Sequence, residues 1–292
     1  MSESPLENIP HDSPIQPVKL SLDDTIQFRC HKDIACFNEC CKRIDILLTP
    51  YDILRLKKCL SLTSNEFLAQ YTIPYEMDAH GIPGVKIKTA DDNPACPFLR
   101  DEGCSVYEDR PTVCRYYAVG LMAMRKEKSP SDENAYFLVK EDHCLGHNEP
   151  RTITVRDYRA EQGVIQYDEI NHEWRQIILK KLSSGPTVGK PSQRSLQFFF
   201  FGSYNLDGFR DFVQSDGFAA IYDLDTATSE TFKTDDVALL KFGFRLLKQV
   251  LFGEMTIPLK SDAVQKRVQQ RREQIKTEPS DPNSDYEGPS MI

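Results

Sequence analysis

Nine cysteines place the strongest constraint on how this chain of 292 residues can fold. Eight of them form two clusters and one late outlier: Cys30, Cys36, Cys40 and Cys41, then Cys96, Cys104 and Cys114, then Cys144. Free thiols at this density oxidise and cross-link, so we expect a metal to bind them. The odd count fits a disulfide framework poorly, and the polar, acidic N-terminus is unlike a signal peptide. We therefore expect a cytoplasmic protein, whose thiols stay reduced.

The charge and the apolar pattern exclude two classes of partner. A formal net charge of −8 and an isoelectric point of about 5.4 argue against a nucleic-acid surface, which is usually strongly basic. No apolar run approaches the roughly 20 residues that a membrane-spanning helix needs. We therefore predict no nucleic-acid or membrane partner. The expected partner is a metal ion or cluster, and the sequence identifies no protein partner.

The pattern of breakers and periodic segments predicts an α+β fold. We expect a flexible arm over residues 1–18, a cysteine-cluster metal-binding domain over 19–150, a helical region over 151–276 and a disordered acidic tail over 277–292. The cysteine-rich N-terminal half is predicted to contain a small hairpin or sheet. The C-terminal half is predicted to be mainly helical.

Local signals predict individual elements. Thr49 followed by Pro50, and Thr63 paired with Glu66, are typical helix starts. We expect further helices to begin at Thr154 and Thr234, with breaks at Gly163 and Gly253 and a last, basic helix at 261–276. Residues 85–88 alternate as a strand does, and residues 98–107 carry a hairpin signal. The four phenylalanines at 198–201 predict a fully buried helix or strand.

The cysteine spacings exclude several familiar sites. The chain offers Cys-x5-Cys-x3-Cys-Cys and then Cys-x7-Cys-x9-Cys, without any Cys-x2-Cys pair. Zinc ribbons and thioredoxin-like sites are therefore excluded, and the radical-SAM pattern fails because position 43 is Arg43. A zinc ion and an iron–sulfur cubane each usually take four thiolates. Eight cysteines could thus form two such sites, or one site with spare thiols. Adjacent Cys40 and Cys41 would more naturally bind two different metals.

Two blocks of sequence resemble a known family. The second cluster is similar to the YkgJ-type cysteine-cluster family over three stretches: Cys96-Pro97-Phe98-Leu99, Gly103 to Tyr107 and Arg110 to Arg115. The Thr49 to Leu56 block, which follows a Cys-Cys pair, is similar to that family as well. The resemblance covers roughly residues 28–120. It implies a domain that chelates zinc or iron. One relative, the flagellin lysine N-methylase, implies that such a domain can accompany methyl transfer.

The residues leave the metal and the role open. A four-iron cluster and zinc both suit thiolate ligands, and we favour the cluster. The function that we expect is metal binding with a redox, sensing or structural role. A cluster-containing protein lysine methyltransferase and a metal-handling chaperone are the alternatives, so whether the protein is an enzyme is undecided.

Several residues near the cysteines have a structural interpretation as well as a functional one. Arg110 and Arg115 could tune a cluster or anchor a loop. We interpret Cys59 as a buried core thiol on the apolar face of its helix. We expect His31, His143 and His147 not to be ligands.

Overall fold

The structure is a computed structural model that describes residues 13–42, 45–78, 81–89, 94–124, 133–183 and 191–262. Two compact units divide the chain, residues 1–189 and 190–292. Of the predicted arm, residues 1–12 lie outside the described residues, and residues 15–18 belong to the first strand. Most of the predicted last helix and the whole predicted acidic tail also lie outside the described residues.

Within the described ranges, every strand lies in the first unit, and the strands form four small antiparallel sheets. Strand order is β1-β9-β8 in one sheet of three and β3-β5-β4 in the other, and the pairs β10-β2 and β6-β7 complete the set. The strands are β1 (Ile15–Leu20), β2 (Thr25–Gln27), β3 (Leu47–Leu48), β4 (Thr72–Glu76), β5 (Pro83–Ile87), β6 (Leu99–Arg100), β7 (Gly103–Cys104), β8 (Val119–Met124), β9 (Glu133–Val139) and β10 (Thr152–Thr154).

Five α-helices in the described part of the first unit accompany these strands. They are α1 (Pro50–Cys59), α2 (Ser64–Tyr71), α3 (Thr112–Tyr116), α4 (Val155–Glu161) and α5 (Val164–Ser183). Thr49 and Thr63 both form capping boxes, with Asp52 and Glu66 respectively. Gly163 separates α4 from α5 with a φ of 67°. These local predictions are confirmed, and α5 supplies a long apolar face against which the shorter elements pack.

One apolar core of the first unit joins residues from both ends of the unit. Phe28, Tyr116, Val119 and Tyr158 are among its buried members, and Cys144 packs against it from the side. Because the core joins the segment before Cys30 to the chain after Cys114, it brings distant cysteine-bearing loops to one region.

The second unit is helical in its described part. Its helices are α6 (Gln193–Tyr204), α7 (Leu206–Val213), α8 (Asp216–Ala219), α9 (Thr226–Thr234) and α10 (Asp236–Phe252). The longest, α10, buries Leu239, Phe244 and Leu247 fully and ends at Gly253 in the left-handed conformation. The predicted start of α10 is wrong: Asp235 is its cap, and Thr234 is the last residue of α9.

The small sheets of the first unit and the helical second unit confirm the predicted α+β class, with a cysteine-rich N-terminal half and a mainly helical C-terminal half. Among the described helices, none combines the length and the apolar character needed to cross a bilayer.

Candidate metal centre

The eight candidate cysteines lie on loops, turns and element ends of the first unit, where the backbone bends most easily. Cys40 and Cys41 belong to a 3₁₀ turn, Glu39–Cys41, and Cys144 caps a second one, Leu145–Asn148. Cys104 ends β7 and Cys114 lies in α3. The remaining three lie outside helices and strands: Cys30, Cys36 and Cys96. Cys30 is exposed and Cys96 is buried, while the other six are partly buried.

Backbone contacts bring the end of the first cluster to the second cluster. The N–H of Cys96 donates to the carbonyl of Cys41 at 2.8 Å. The N–H of Leu99 then donates to the carbonyl of Cys96 at 3.0 Å, and Leu99 pairs with Cys104 across the β6-β7 hairpin. The hairpin predicted over residues 98–107 is confirmed, and it joins Cys104 to Cys96 and Cys41.

Helix α3 delivers Cys114 to the same region through a buried carboxylate. Oδ1 of Asp52, in the first turn of α1, accepts hydrogen bonds from the N–H and the hydroxyl of Thr112, the first residue of α3. Asp52 is completely buried, and burial raises the pKa of its carboxyl group although the bonds from Thr49 and Thr112 act in the opposite direction. The carboxylate therefore fixes the start of α3, and with it Cys114, to the start of α1.

A second set of contacts joins the start of the first cluster to Cys144. The N–H of Leu145 donates to Sγ of Cys36 at 3.3 Å. The N–H of Arg29, next to Cys30, donates to the carbonyl of Gly146 at 3.1 Å. The loop around Cys144 therefore lies against the segments that carry Cys30 and Cys36.

The electrostatic interactions link neighbouring sulfurs, and Cys40 acts on cysteines from both ends of the site. Burial and then the charge of Cys96 raise the pKa of Cys114, which is also coupled to Cys104. Cys41 is coupled to Cys96 and Cys114. We call these four residues the first sulfur group: Cys41, Cys96, Cys104 and Cys114.

The remaining four cysteines are coupled in the same way. Although Cys30 as a whole residue is exposed, desolvation of its thiol, and then the charges of Cys40, Cys36 and Cys144, raise its pKa to about 11. Cys144 is likewise coupled to Cys36 and Cys40. We call these four residues the second sulfur group: Cys30, Cys36, Cys40 and Cys144.

Cys40 lies where the two groups meet. Its sulfur accepts a hydrogen bond from the thiol of Cys41, which lowers the pKa of Cys40 to about 7 and raises that of Cys41. Cys40 also couples to Cys104 and Cys114 in the first group. Cys40 is therefore the thiol of this pair that ionises first.

Backbone N–H groups act on five of the eight sulfurs, that of Cys40 included. Those of Phe98 and Leu99 donate to Cys96, and that of Val106 donates to Cys104. In the second group, Cys144 accepts from Gly146 and Cys36 accepts from Leu145. Hydrogen bonds to a thiolate favour its charged form, and hydrogen bonds to cluster sulfurs tune the reduction potential. These backbone N–H donors therefore stabilise the cysteine sulfurs in their negatively charged thiolate form.

Arg110 and Arg115 anchor the loop before α3. Arg115 is buried and donates to the carbonyls of Arg110 at 3.0 Å and of Gln162 at 2.9 Å, and its guanidinium also covers the ring of Tyr167. Arg110 donates to the carbonyl of Tyr107 at 2.7 Å. The charge of Arg110 also lowers the pKa of Cys104, in opposition to burial. The loop-anchoring role is thus observed, and the tuning of a cluster by Arg110 stays a prediction.

The three histidines near the cysteines have other contacts. His31 lies 3.3 Å from a carboxylate oxygen of Glu149, and His143 lies 3.6 Å from one of Glu141. His147 is buried and its Nε2 lies 3.0 Å from the carbonyl oxygen of Val139. Its Nδ1 atom is buried without a hydrogen-bond partner in the described part of the chain.

The prediction that Cys59 is a buried core thiol is wrong, because Cys59 is exposed. Leu56, one turn earlier, is fully buried. Cys59 is the last residue of α1. It is not among the eight candidate ligands, although the charge of Cys104 contributes, after burial and Asp109, to its raised pKa.

Sequence reasoning missed one buried polar residue that supports the site. Asn171, on α5, donates to Oγ1 of Thr49 at 2.9 Å and accepts from the N–H of Tyr51 at 3.3 Å. It therefore holds the start of α1, which in turn holds α3. The only signal of this role in the sequence is the side-chain amide of Asn171, which comes directly after Ile170 on the predicted apolar face of the helix.

Within the described residues, no three Cys, His, Asp or Glu side chains are arranged to hold one metal ion between them. Six of the candidate cysteines have pKa values above that of an ordinary thiol: Cys30, Cys41, Cys96, Cys104, Cys114 and Cys144. Burial is the chief cause except at Cys41, where the hydrogen bond to Cys40 contributes most. Without a metal these six sulfurs are therefore protonated at neutral pH, and a bound metal would displace their protons. The all-sulfur donor set is chemically suited to zinc or to an iron–sulfur cluster.

Comparison with known proteins agrees with this donor set. Residues 29–161 match the model of the CxxCxxCC family, described as "Putative zinc- or iron-chelating domain". The match spans all eight candidate cysteines. It agrees with the resemblance that the motifs carry, so this segment is similar to the cysteine-cluster domain of that family. No curated protein and no solved structure matches the chain.

Proposed function

We propose that residues 29–161 hold an iron–sulfur cluster through cysteine thiolates, with Cys41, Cys96, Cys104 and Cys114 as its four ligands. The observation that supports this proposal is that backbone contacts join the segments carrying these cysteines, Cys96 to Cys41 and the β6-β7 hairpin to both, while backbone hydrogen bonds lower the pKa of Cys96 and Cys104. Four thiolates are the usual ligand set of a four-iron cluster. A bound cluster would supply one-electron chemistry.

Nearby positive charge supports a cluster in this place. Arg100 lowers the pKa of Cys96 and Cys104, and Arg110 lowers that of Cys104, each acting against burial. A cluster with four thiolates is negative, and cationic neighbours raise its reduction potential. We therefore assign the domain a redox or sensing role, in which the protein sets the potential through these charges and the N–H donors. Zinc in the same place would instead have a structural role, because four protein ligands close a zinc site.

Anaerobic purification with iron, acid-labile sulfide and zinc analysis tests the proposal. We expect a brown protein with broad visible absorption and matching amounts of iron and sulfide. A colourless protein with stoichiometric zinc would contradict the cluster and leave the metal site intact.

Two variants test the ligands. We expect Cys104→Ser to lose metal from the first sulfur group, because it removes one of four thiolates. Cys59→Ala is the matched control, since it removes an exposed thiol outside both groups and should keep the full metal load. A full load in Cys104→Ser would refute the ligand assignment.

A further inference from the structure

An open cleft in the first unit is lined by more positive than negative charge. Its volume is about 610 Å³, and its charged lining residues are Lys42, Lys88, Arg100 and Asp101. Three cations and one carboxylate give this cleft a positive balance, whereas the whole chain carries a formal charge of −8. A cleft lined by one sign of charge raises the local concentration of ions of the opposite sign. The cleft is therefore suited to anions, and its volume is typical of small-molecule sites, which measure about 300–1,000 Å³.

Contacts between distant segments hold the walls of this cleft. Asn38 has a left-handed backbone with a φ of 72°, and its side-chain amide donates to the carbonyl of Arg100 at 3.3 Å. This bond joins the turn after Cys36 to the β6-β7 hairpin. On the opposite side, the N–H of Lys88 donates to the carbonyl of Tyr71 at 2.8 Å, which fixes the chain just after β5. The cations of the cleft thus come from segments whose backbones are held in place.

The guanidinium of Arg100 is anchored on one side and open on the other. Its Nη1 donates to the carbonyls of Pro97 at 2.8 Å and Leu99 at 2.6 Å. Within the described residues, its Nε and Nη2 atoms make no hydrogen bond. An arginine whose orientation is already fixed, and which keeps unused donors, is well suited to bind the oxygens of a phosphate or a carboxylate.

The two lysines of the cleft are available for the same task. The ammonium group of Lys88 is exposed and has no acidic partner in the described part of the chain. Lys42 lies 2.6 Å from a carboxylate oxygen of Glu39, and both side chains are about half exposed. Because exposed ion pairs of this kind contribute little free energy, an anion in the cleft can compete with Glu39 for Lys42.

An apolar surface lies beside these cations. Phe37 and Leu99 both line the cleft. Gly103 has a φ of 124°, and a Cβ atom there would lie 3.3 Å from the ring of Phe37, so this ring packs closely on the hairpin. An inorganic ion would leave the apolar surface exposed to water, whereas a ligand with an apolar body would cover it.

From these observations we propose that the cleft binds a small organic anion. Arg100 and Lys88 hold its phosphate or carboxylate group, and Phe37 and Leu99 contact its apolar body. Cys96 also lines the cleft, so the ligand lies beside the candidate metal centre. This site is additional to the proposed function, and its existence does not depend on which metal the cysteines bind.

Isothermal titration calorimetry of the full chain at low ionic strength tests the proposal. The probes are phenyl phosphate and phthalate, two aromatic dianions that differ in the oxoanion, with inorganic phosphate as the probe without an apolar body. We expect saturable binding of at least one aromatic dianion at a single site, and phenyl phosphate to bind more tightly than inorganic phosphate. The tighter of the two aromatic probes then identifies the oxoanion that the cleft prefers.

Two lysines of one chain segment provide a matched pair of variants. Lys88→Gln should weaken binding about tenfold, the order expected for the loss of one charged hydrogen bond. Lys86→Gln removes the same charge two positions earlier, from a side chain that is 2.7 Å from Asp45 and does not line the cleft, and should change the affinity little. Arg100→Gln should weaken binding at least as much as Lys88→Gln. Because Arg100 also supports its own loop, the exposed Lys88 gives the decisive comparison.

Several results would overturn the proposal. One is the absence of saturable binding for both aromatic dianions, including the case in which a hexaglutamate peptide binds instead and shows that the cleft takes a polypeptide. Another is an equal effect of Lys86→Gln and Lys88→Gln, which would show general attraction to surface charge. The iron and zinc contents of the same preparations should not change with Lys88→Gln. Failure of anion binding is thereby distinguished from failure of the metal centre.

Discussion

Asp52 and Thr112 are joined by two hydrogen bonds to one oxygen. Oδ1 of Asp52 accepts from the Thr112 N–H at 2.8 Å and from its hydroxyl at 2.7 Å. Oδ2 accepts from the N–H of Thr49 at 2.8 Å. One carboxylate thus satisfies the starts of two helices that lie 60 residues apart in sequence. This arrangement makes the position of Cys114 depend on the block of residues that follows the Cys-Cys pair.

Replacement of Asp52 by alanine should therefore destabilise the first unit and loosen Cys114. Each buried donor left without a partner costs roughly 1–3 kcal/mol, and we expect a total loss of about 3 kcal/mol. Urea unfolding followed by circular dichroism measures the loss. Asp225→Ala removes an exposed cap from α9 and should cost much less. Equal losses in the two variants would contradict the structural role assigned to Asp52.

Replacement of Arg115 by lysine should also destabilise the first unit, because lysine cannot reproduce the planar fork of donors. Arg115 holds three backbone carbonyls, those of Glu108, Arg110 and Gln162. We expect a loss of about 2 kcal/mol in thermal or urea unfolding, the order of one charged hydrogen bond. Arg156→Lys, at an exposed ion pair with Asp23, is the control and should change the stability little.

The sequence predicts those parts of the fold that local chemistry decides. Thr49, Thr63, Gly163 and Gly253 act as predicted because a cap or a left-handed residue depends on its near neighbours alone. The start of α10 shows the limit of such signals. Thr234 and Asp235 are both good caps, and α9 extends through Thr234, so only Asp235 remains to accept from Val237 and Ala238.

Burial is harder to predict because it depends on distant contacts. The four phenylalanines at 198–201 do lie in a helix, but successive residues rotate by 100°, so they cannot all face one core. Only Phe199 is buried, which makes the prediction of a fully buried run wrong.

The candidate site is likewise only partly predictable from the sequence. The motifs identify the candidate cysteines, and the adjacency of Cys40 and Cys41 suggests that their side chains point in different directions. Their partition into two groups depends on contacts such as Cys41 with Cys96 and Cys36 with Leu145, which are 55 and 109 positions apart. A spacing pattern carries no information on such pairings.

Alkylation of the metal-free protein should follow pKa rather than exposure. The hydrogen bond from Cys41 lowers the pKa of Cys40 to about 7, whereas burial and neighbouring charges raise that of Cys30 to about 11. The thiolate is the reactive form, so at neutral pH Cys40 is about half ionised and Cys30 is almost entirely protonated. Brief iodoacetamide treatment and peptide mass spectrometry should find Cys40 modified first, at a rate that rises through pH 7 and then levels.

The Cys41→Ala variant supplies the control for this experiment. Loss of the thiol donor should raise the pKa of Cys40 and move the rise in its alkylation rate to higher pH. Preferential modification of the exposed Cys30 in the unaltered chain would show that access, and not ionisation, governs these thiols.

Gly146→Ala should weaken the second sulfur group without unfolding the protein. The added methyl would lie 3.0 Å from a backbone oxygen, which cannot rotate away as a side chain can, so the Cys144 loop must move. We expect the variant to release its metal to a chelator faster than the wild type. Gly217→Ala is the matched substitution, because the nearest atom to its new methyl, Oγ of Ser215, lies 3.9 Å away. Stopped-flow absorbance during chelation distinguishes the two: a fast phase confined to Gly146→Ala supports the contact between the Cys144 loop and Phe28, whereas identical traces would show that the loop does not control the metal.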